Sequence, residues 1–505
     1  MSAIHFGTDG WRAQYGTGAD GTAHTGPADF TDENLTAVAT ATAQVFLADY
    51  FENCPPSTRS DTAGEYVPAH PPTVYVGYDT RDGADRFAAR AADAMASAGL
   101  RVILSDAYIP TPGLCWSVAT DPAAVGGVQL TASHNPAGWL GFKVRMADGG
   151  AAQPAFTDRI ESLISTPPSS SPHDMLQRRD LVTPYLANLA TLVDADAIAA
   201  AAPQVVVDSL YGAGRGYLAQ VLSTLGARVT EIHADAVGDF AGLHPEPIPP
   251  WTDDAATAVR ATGATAAFVT DGDADRIGAV DRDGNFVSPH VIIALLADHL
   301  VRDRGKSGRI VKSLAMGRLI ERVGAGLHCP VITTPIGFKY IYGEMLAGDV
   351  LIGGEESGGL GVPDHVRERD GLLMALLLTE MMAQRGVGLA ELVADIQSRY
   401  GRLYYHRDDL RLDADTMDAF RAKLPTLEPA TVAGRTPETY LHTDGLKMLI
   451  SDDEWLMVRA SGTEPLLRVY AEAASPERLQ ELLAAGRALA GGPGDTGTAT
   501  TGNGD

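Results

Sequence analysis

Three aspartates alternate in the hexapeptide DGDADR, at Asp271, Asp273 and Asp275, directly after the apolar run AAFVT. In an extended or turning loop their carboxylates converge on one side, and neighbouring carboxylates repel one another unless a cation lies between them. Mg²⁺ is the simplest such cation. A calcium loop of the EF-hand type is excluded, because it needs Gly and Glu where Arg276 and Arg282 stand. A solvated acidic turn remains the alternative.

A serine and a histidine adjoin in the hexapeptide TASHNP, at Ser133 and His134. A serine hydroxyl becomes a competent nucleophile once it is activated, either by His134 or by a metal on another loop. The nucleophile elbow of esterases is not supported, because no GxSxG pattern surrounds Ser133. The alternative is a polar turn in which Ser133 or Asn135 caps a helix.

Two further stretches carry groups that suit phosphate and sugar. RASGTEP combines hydroxyls and a flexible backbone with Arg459, and Arg468 follows it, a composition that suits a phosphate cradle or a tight hairpin turn. GGEESGG presents Glu355 and Ser357 on a glycine-bounded loop that either binds sugar hydroxyls or is a mobile acidic loop. Arg12 and Lys143 add cations that singly read as surface charges.

Strand-like apolar runs alternate with Ala-rich helical stretches through most of the chain, which predicts βαβ units with mixed or parallel sheets. The motifs lie at the ends of such strands: Thr131 follows VQL, Asp271 follows AAFVT and Gly353 follows VLI. Ligands bind at the carboxyl ends of strands in sheets of this kind. After Tyr404 the pattern changes to alternating strands and a final helix, which predicts a smaller α+β domain.

Length and charge bound the class of protein. A chain of 505 residues is expected to form three or four domains. Its net charge of −25 opposes binding to nucleic acid or anionic membranes. The N-terminus lacks the pattern of a signal peptide and no apolar run is long enough for a membrane helix, so we expect a cytoplasmic protein. Cys54, Cys115 and Cys329 have no metal-binding spacing and are expected to be free thiols.

Three polar stretches interrupt the pattern. Residues 51–72 are rich in Pro, Ser and Thr and predict a disordered surface insertion. Residues 165–174 predict a linker, and residues 491–505 predict a disordered tail.

FGTDGWR, TASHNP, DGDADR, GEESGG and RASGTEP, in this order, resemble the signature loops of the α-D-phosphohexomutase superfamily, the phosphoglucomutases and phosphomannomutases. Lesser matches are VGYDTR at Val76, VVDSLYGAG at Val206, PEPI at Pro245 and TPIGFKY at Thr334. The resemblance implies an α/β fold, with three related α/β domains with mixed sheets and a C-terminal α+β domain around a central cleft. The implied domains are residues 1–170, 171–287, 288–403 and 404–490.

The resemblance also implies a reversible transfer of phosphate between the 1- and 6-hydroxyls of a hexose through a phosphoserine and a hexose 1,6-bisphosphate. Ser133 would carry the phosphoryl group, exposed at the floor of the cleft by its proline-ended turn. Mg²⁺ would be held by Ser133, Asp271, Asp273 and Asp275. The implied catalytic residues around the phosphoryl group are His134, Lys143, Arg12 and Arg276. The implied substrate-binding residues are Lys339, Glu355, Ser357, His365, Arg369, Arg459, Ser461, Gly462, Thr463 and Arg468.

The sequence departs from the family in ways that bear on specificity. Many members have His where Gly359 stands, whereas GEESGG followed by DHVRERDG is similar to the glucose-preferring branch. This branch makes His365 and Arg369 active-site residues and leaves the general base unassigned. Leu140 replaces a usual Asn, which is expected to alter packing near Lys143. We therefore expect a phosphoglucomutase with some phosphomannomutase activity, as a monomer or homodimer.

Three alternative functions would each be indicated by a different sequence feature. A phosphoglucosamine mutase typically reads GEQSGH at the sugar loop. A phosphosugar-binding protein without activity would have lost the serine or a metal carboxylate, and all of these are present. A phosphatase is disfavoured because no aspartyl nucleophile motif is found.

Overall fold

The structure of the chain is a computed structural model that describes residues 4–7, 9–17, 23–53, 72–164, 175–460 and 466–489. The first domain comprises β1 (Trp11–Gln14), α1 (Asp32–Glu52), β2 (Thr73–Tyr78), α2 (Ala84–Ser97), β3 (Arg101–Ser105), α3 (Thr111–Thr120), β4 (Ala124–Leu130), β5 (Trp139–Met146), α4 (Pro154–Leu163) and β6 (Leu176–Arg179). The strand order is β1-β5-β4-β2-β3-β6. Strand β2 is buried along its whole length, as its largely apolar sequence indicates for a parallel strand covered on both faces.

The second and third domains repeat the alternation of strands and helices. The second comprises α5 (Val182–Thr191), α6 (Ala195–Ala201), β7 (Gln204–Asp208), α7 (Tyr217–Thr224), β8 (Arg228–Ile232), α8 (Asp253–Thr262), β9 (Ala266–Thr270), β10 (Ile277–Asp281) and β11 (Phe286–Val287). The third comprises α9 (Pro289–Arg302), β12 (Arg309–Ser313), α10 (Leu319–Leu327), β13 (Val331–Thr334), α11 (Phe338–Ala347), β14 (Val350–Gly354), β15 (Leu360–Gly361), α12 (Gly371–Arg385) and α13 (Leu389–Tyr400). Their strand orders are β11-β10-β9-β7-β8 and β13-β12-β14-β15.

One arrangement recurs in all three sheets. Each sheet contains a set of three parallel strands, in the orders β4-β2-β3, β9-β7-β8 and β14-β12-β13. In each set the first strand named also pairs with the antiparallel strand that follows it in sequence, which is β5, β10 or β15. The loops β4–β5, β9–β10 and β14–β15 therefore occupy equivalent positions at the carboxyl ends of parallel strands. These loops carry TASHNP, DGDADR and EESGG. The prediction of three related α/β domains with mixed sheets is confirmed.

The fourth domain is a five-stranded antiparallel sheet with two helices, in the order β16-β20-β19-β18-β17. It comprises β16 (Tyr404–Arg411), α14 (Ala414–Lys423), β17 (Thr439–Leu441), β18 (Leu446–Ser451), β19 (Glu454–Ala460), β20 (Leu466–Ala473) and α15 (Pro476–Leu489). Its apolar core, from Leu410 to Leu483, is separate from the core that runs through the second and third domains. A small apolar cluster joins it to the third domain, formed by Leu314, Ala315, Trp455, Met457 and Tyr470.

The polar stretches lie mostly outside the described residues: residues 54–71 of the predicted insertion, the predicted linker 165–174 and the tail 491–505. Phe51 and Glu52, expected to begin the insertion, are instead the last residues of α1. Cys115 and Cys329 are free thiols, and Cys54 lies outside the described residues. Within the described ranges, no single helix has the length and apolar character to cross a bilayer; α12 and α13 reach those criteria only as a pair bent by 84°.

Candidate active site

The three aspartates of the β9–β10 loop form a buried cluster. Asp271, Asp273 and Asp275 are fully buried, and one carboxylate oxygen from each lies within 4.8 Å of the other two. The Oδ1 atoms of Asp273 and Asp275 have no hydrogen-bond partner among the described residues, although they are out of contact with solvent. Buried carboxylate oxygens without donors fit a hard divalent cation, which binds oxygen ligands and offsets their mutual repulsion. The cluster therefore fits a metal site.

Ser133 lies directly against this cluster. Its Oγ donates a hydrogen bond of 2.8 Å to Asp271 Oδ2, which joins the β4–β5 loop of the first domain to the β9–β10 loop of the second. The approach is so close that a Cβ atom on Gly272 would lie 2.4 Å from the Ser133 carbonyl oxygen, so only glycine fits there. The expectation of an exposed hydroxyl is wrong: Ser133 is fully buried, because the metal loop covers it.

Lys143 on β5 neutralises part of the carboxylate cluster. Its Nζ lies 2.7 Å from Asp273 Oδ2 and 3.1 Å from Asp275 Oδ2. Burial would raise the pKa of Asp273, but Lys143 and a hydrogen bond from Thr111 together lower it below the ordinary value. Burial, with the charges of Asp273 and Asp275, raises the pKa of Asp271 well above the ordinary value. Repulsion within the cluster therefore opposes ionisation of Asp271, whereas Asp273 is held in its ionised form by Lys143.

The other predicted catalytic residues surround Ser133. Arg12 donates a 2.7 Å hydrogen bond to Asn135 Oδ1 in the same loop. Arg276 Nε lies 3.8 Å from Asp271 Oδ2, and its N–H is buried without a hydrogen-bond partner among the described residues, so this donor has hydrogen-bonding capacity that the neighbouring carboxylates do not use. The His134 Nδ1 atom lies 3.4 Å from Ser133 Oγ. Burial and the nearby Arg276 hold the pKa of His134 well below its ordinary value, so its ring is neutral.

The β14–β15 loop of the third domain is tied to the metal loop by backbone contacts. Ile277 N–H donates to Gly358 O at 3.0 Å, and Arg276 and Gly359 form a β-bridge. Glu355 is buried and accepts a 2.8 Å hydrogen bond from the Gly337 N–H. Within the same region Ser357 is half-buried, and the half-buried Lys339 lines a cavity shared with Asp9 and Gly10. The structure thus brings the predicted sugar loop to the metal loop, which itself contacts the serine loop.

The buried Glu355 predicts a pH-dependent stability. Burial and the charge of Glu356 raise its pKa from 4.5 to about 7, against the opposing charges of Arg369 and Arg276. The unfolded chain releases this proton first, so the free energy of unfolding falls as pH rises from 4.5 to about 7. Glu355→Gln removes this loss. We therefore expect the free energy of unfolding of the variant to rise relative to that of the wild type by about 3 kcal/mol across this pH range.

Urea unfolding at several pH values, without added metal, measures this difference. Glu477→Gln, at an exposed position of α15, is the matched control for the removal of one carboxylate. A Glu355→Gln difference that does not change with pH would contradict a raised pKa.

Arg369 joins the charged cluster, whereas His365 lies elsewhere. Arg369 Nη2 lies 2.8 Å from Asp275 Oδ2 and 2.7 Å from Asp9 Oδ2. His365 Nε2 faces Asp370 Oδ2 at 3.0 Å, its ring stacks on Tyr185, and its side chain is only 3% exposed. Asp370 caps α12 through the Leu373 N–H. The structure therefore places His365 in the packing around the start of α12 instead of among the cluster residues, because the loop turns between positions 365 and 369.

The arginines of the predicted phosphate loop lie on adjacent strands of the fourth domain. Arg459 on β19 pairs in register with Arg468 on β20, so both project from one region of the sheet. The Arg459 Nε donates to Asp444 Oδ1 at 3.1 Å, and Asp444 Oδ2 accepts from the Ile336 N–H. Ile336 adjoins Gly337, the donor to Glu355. The three intervening predicted residues, Ser461, Gly462 and Thr463, lie outside the described residues.

Several site residues escaped the sequence reasoning. Asp9 lies between Lys143 and Arg369, at 2.9 Å from the Lys143 Nζ. Glu246 lies between Arg276 and Arg407 at 3.8 and 3.9 Å, and so connects the second domain to the fourth. Burial opposes ionisation of Glu246, but a hydrogen bond from His244 and the charge of Arg407 lower its pKa well below the ordinary value. Asp9 lies in the motif FGTDGWR and Glu246 in the motif PEPI. Both motifs are visible in the sequence, but neither residue has a role predicted from it.

Four family profiles match the chain in order. They are described as phosphoglucomutase/phosphomannomutase α/β/α domain I, over residues 59–170, domain II, over residues 183–284, domain III, over residues 288–400, and the C-terminal domain, over residues 411–488. Together they cover most of the chain.

Whole proteins are similar over nearly the same length. A phosphoglucomutase/phosphomannomutase of Thermococcus kodakarensis is 32% identical over 422 residues, 82% of this chain and 89% of the relative. A phosphoglucosamine mutase of Frankia casuarinae is 32% identical over 470 residues, 90% of this chain and 93% of the relative. The crystal structure of a Thermus thermophilus protein assigned as a phosphomannomutase superposes with a TM-score of 0.81 and 34% identity, over 97% of this chain and 100% of that one.

Proposed function

Because this chain belongs to the phosphoglucomutase/phosphomannomutase family, a family of phosphotransferase mutases, we propose that it interconverts hexose 1-phosphate and hexose 6-phosphate, with glucose preferred and mannose also accepted. One observation carries the proposal most directly: the Ser133 hydroxyl lies 2.8 Å from a carboxylate of a buried three-aspartate cluster. A nucleophile beside a cation site, with arginine and lysine around it, is the arrangement that phosphoryl transfer requires.

In the proposed cycle Ser133 rests as a phosphoserine. The Oγ–P bond breaks as the phosphorus bonds to the free hydroxyl of the substrate. The proton of that hydroxyl leaves to a base that is not assigned, and the released Ser133 Oγ takes up a proton. The resulting hexose 1,6-bisphosphate turns within the cleft. The O–P bond at its other phosphate then breaks as that phosphorus bonds to Ser133 Oγ, which gives up its proton, and the released sugar oxygen takes up a proton. Arg12, Lys143 and Arg276 supply positive charge around the transferring group.

Asp271, Asp273 and Asp275, with an oxygen of the modified Ser133, would hold one Mg²⁺. When bound, Mg²⁺ supplies positive charge that stabilises the transferring phosphoryl oxygens. Asp273 and Asp275, together with Asp9, also hold Lys143, so two of the proposed metal ligands position a cation of the protein as well.

Recognition of the sugar and of the second phosphate is divided between two domains. We assign the sugar hydroxyls to Glu355 and Ser357 on the β14–β15 loop, supported by Lys339 and Arg369. The phosphate that does not react would be bound by Arg459, Ser461, Gly462, Thr463 and Arg468. This division suits a bisphosphate that must bind in two orientations. The loop of the fourth domain would hold whichever phosphate does not react, while the β14–β15 loop would contact sugar hydroxyls that occupy similar positions in both orientations. Closure of the cleft would exclude water, which otherwise hydrolyses the phosphoserine.

A second candidate, phosphoglucosamine mutase, is favoured by the Frankia relative of that name. Turnover of the 1-phosphates of glucose, mannose and glucosamine, measured side by side with the matching 1,6-bisphosphate present, separates the two. We expect glucose 1-phosphate to react fastest and mannose 1-phosphate measurably. Equal rates would remove the glucose preference, and glucosamine 1-phosphate as the fastest substrate would support the second candidate. Conversion of none of the three would contradict a hexose phosphate mutase altogether.

A further inference from the structure

A single guanidinium group gathers the backbone of the serine loop. Arg81 Nη2 donates 2.7 Å hydrogen bonds to the carbonyl oxygens of Ser133 and Asn135, and its Nη1 donates to those of Pro136 and Trp139 at 2.8 and 3.0 Å. Four carbonyl oxygens of one turn thus converge on one side chain. The Arg81 side chain has no exposure to solvent, so these bonds form in a buried, low-dielectric setting.

A second chain of hydrogen bonds connects Arg81 to the Ser133 backbone from the other side. Arg81 Nε donates to Asp79 Oδ2 at 3.0 Å, and the same oxygen accepts a 2.6 Å hydrogen bond from the Thr131 hydroxyl. The Thr131 Oγ1 in turn accepts from the Ser133 N–H at 2.9 Å. Arg81 therefore fixes the carbonyl of Ser133 directly, and it fixes the N–H of Ser133 through the side chains of Asp79 and Thr131.

The Ser133 backbone is in a conformation that needs such support. Its φ of 54° lies in the left-handed region, which is uncommon for a residue with a side chain. Residues held in this region are retained only where the surrounding structure determines them. In this conformation the Ser133 Oγ lies 2.8 Å from Asp271. The position of the reacting oxygen relative to the metal loop thus depends on the contacts that hold this φ.

Arg81 also faces the second domain. Its guanidinium lies 4.8 Å from the centroid of the Phe240 ring, and the neighbouring Asp82 N–H donates to Gly238 O at 3.3 Å. The group that holds the serine loop therefore contacts the domain that carries the metal loop.

We propose that Arg81 is a positioning residue for phosphoryl transfer, which sets the Ser133 oxygen against the metal loop by fixing the left-handed turn; this role rests on the proposed mutase function. Lysine does not replace it, because an ammonium group lacks the planar fork that reaches four carbonyl oxygens and a carboxylate together. All five N–H groups of the Arg81 guanidinium are used by Asp79 and the four carbonyl oxygens, so none is left for a ligand, and we expect its effect on the rate of transfer and not on substrate binding.

The test compares Arg81→Lys with Arg86→Lys, a change on the exposed face of α2 where Arg86 pairs with Asp32. We expect Arg81→Lys to lower kcat about 100-fold, the loss that a displacement near 1 Å produces, while KM for glucose 1-phosphate stays within about threefold. Hydrogen exchange of the Ser133 amide, measured on the full chain, is expected to accelerate in Arg81→Lys and not in Arg86→Lys. An unchanged kcat, or a lowered kcat with an unaltered Ser133 amide, would overturn the role.

Thr131→Val keeps the test decisive should Arg81→Lys fail to fold. Valine matches threonine in shape but removes the hydroxyl between Asp79 and the Ser133 N–H, whereas Thr131→Ser retains it. We expect a lowered kcat and a faster-exchanging Ser133 amide in Thr131→Val alone; equal behaviour of the two variants would overturn the role. A wild type that converts no hexose phosphate would overturn the proposed function itself, whereas an active wild type with an equally active Arg81→Lys would overturn only the role of Arg81.

Discussion

Ser133→Ala is expected to abolish mutase turnover, with a loss of kcat of about 10⁴-fold or more. The variant lacks the oxygen that accepts and returns the phosphoryl group in the proposed cycle. When Oγ is removed, Asp271 keeps its hydrogen bond from the Arg276 backbone N–H, and the space left is that of one oxygen atom. We therefore expect the melting temperature to change little.

Two measurements separate lost chemistry from lost structure. Mass spectrometry of the intact wild type, after incubation with glucose 1,6-bisphosphate, is expected to show one added phosphoryl group that Ser133→Ala lacks. Ser398→Ala, on the exposed face of α13, serves as the matched control and is expected to keep both the modification and the activity. Near-normal turnover by Ser133→Ala would rule out the phosphoserine mechanism.

Asp271→Asn is expected to lower kcat about 10³-fold and to remove the stabilising effect of Mg²⁺. The change keeps the shape of the side chain and takes one negative charge from three oxygens that lie within 4.8 Å of one another. A ligand that binds only the folded chain raises its melting temperature. We therefore expect Mg²⁺ to raise the melting temperature of the wild type and to leave that of Asp271→Asn unchanged.

Asp283→Asn is the control, because Asp283 lies in a turn of the same domain with a side chain 65% exposed. It is expected to respond to Mg²⁺ as the wild type does. Chelation of divalent ions is expected to inactivate the wild type reversibly, with activity restored by added Mg²⁺. Full activity after chelation, or an Mg²⁺ response retained by Asp271→Asn, would contradict a metal site at this cluster.

Much of the fold was predictable because it depends on short-range patterns in the sequence. Buried parallel strands require continuous apolar runs, and AAFVT, which precedes Asp271, is such a run and forms β9. Three acidic residues in alternation after it predicted a metal site, and the structure brings their oxygens together. The type of each domain follows from patterns of this kind, which need no knowledge of distant contacts.

The parts that escaped prediction depend on contacts between distant segments. The sequence shows VGYDTR, but nothing in it indicates that Arg81 reaches the turn that begins some fifty positions later. The burial of Ser133 depends on Gly272 in another domain, which permits the two loops to touch. The resemblance of DHVRERDG to the glucose-preferring branch predicts both His365 and Arg369 in the site, yet a turn of the loop places His365 against Tyr185 and Arg369 against Asp275.

The repeated arrangement of the first three sheets has a consequence for how this enzyme could change. Under the proposed function, serine chemistry, metal binding and sugar contact would each occupy the same loop position in a different copy of one structural unit. A substitution in the β14–β15 loop can therefore alter which hexose is accepted while the two loops that perform the transfer keep their residues. Substrate range and reaction chemistry are separable under selection in this architecture, and a change of sugar requires new residues in only one of the three copies.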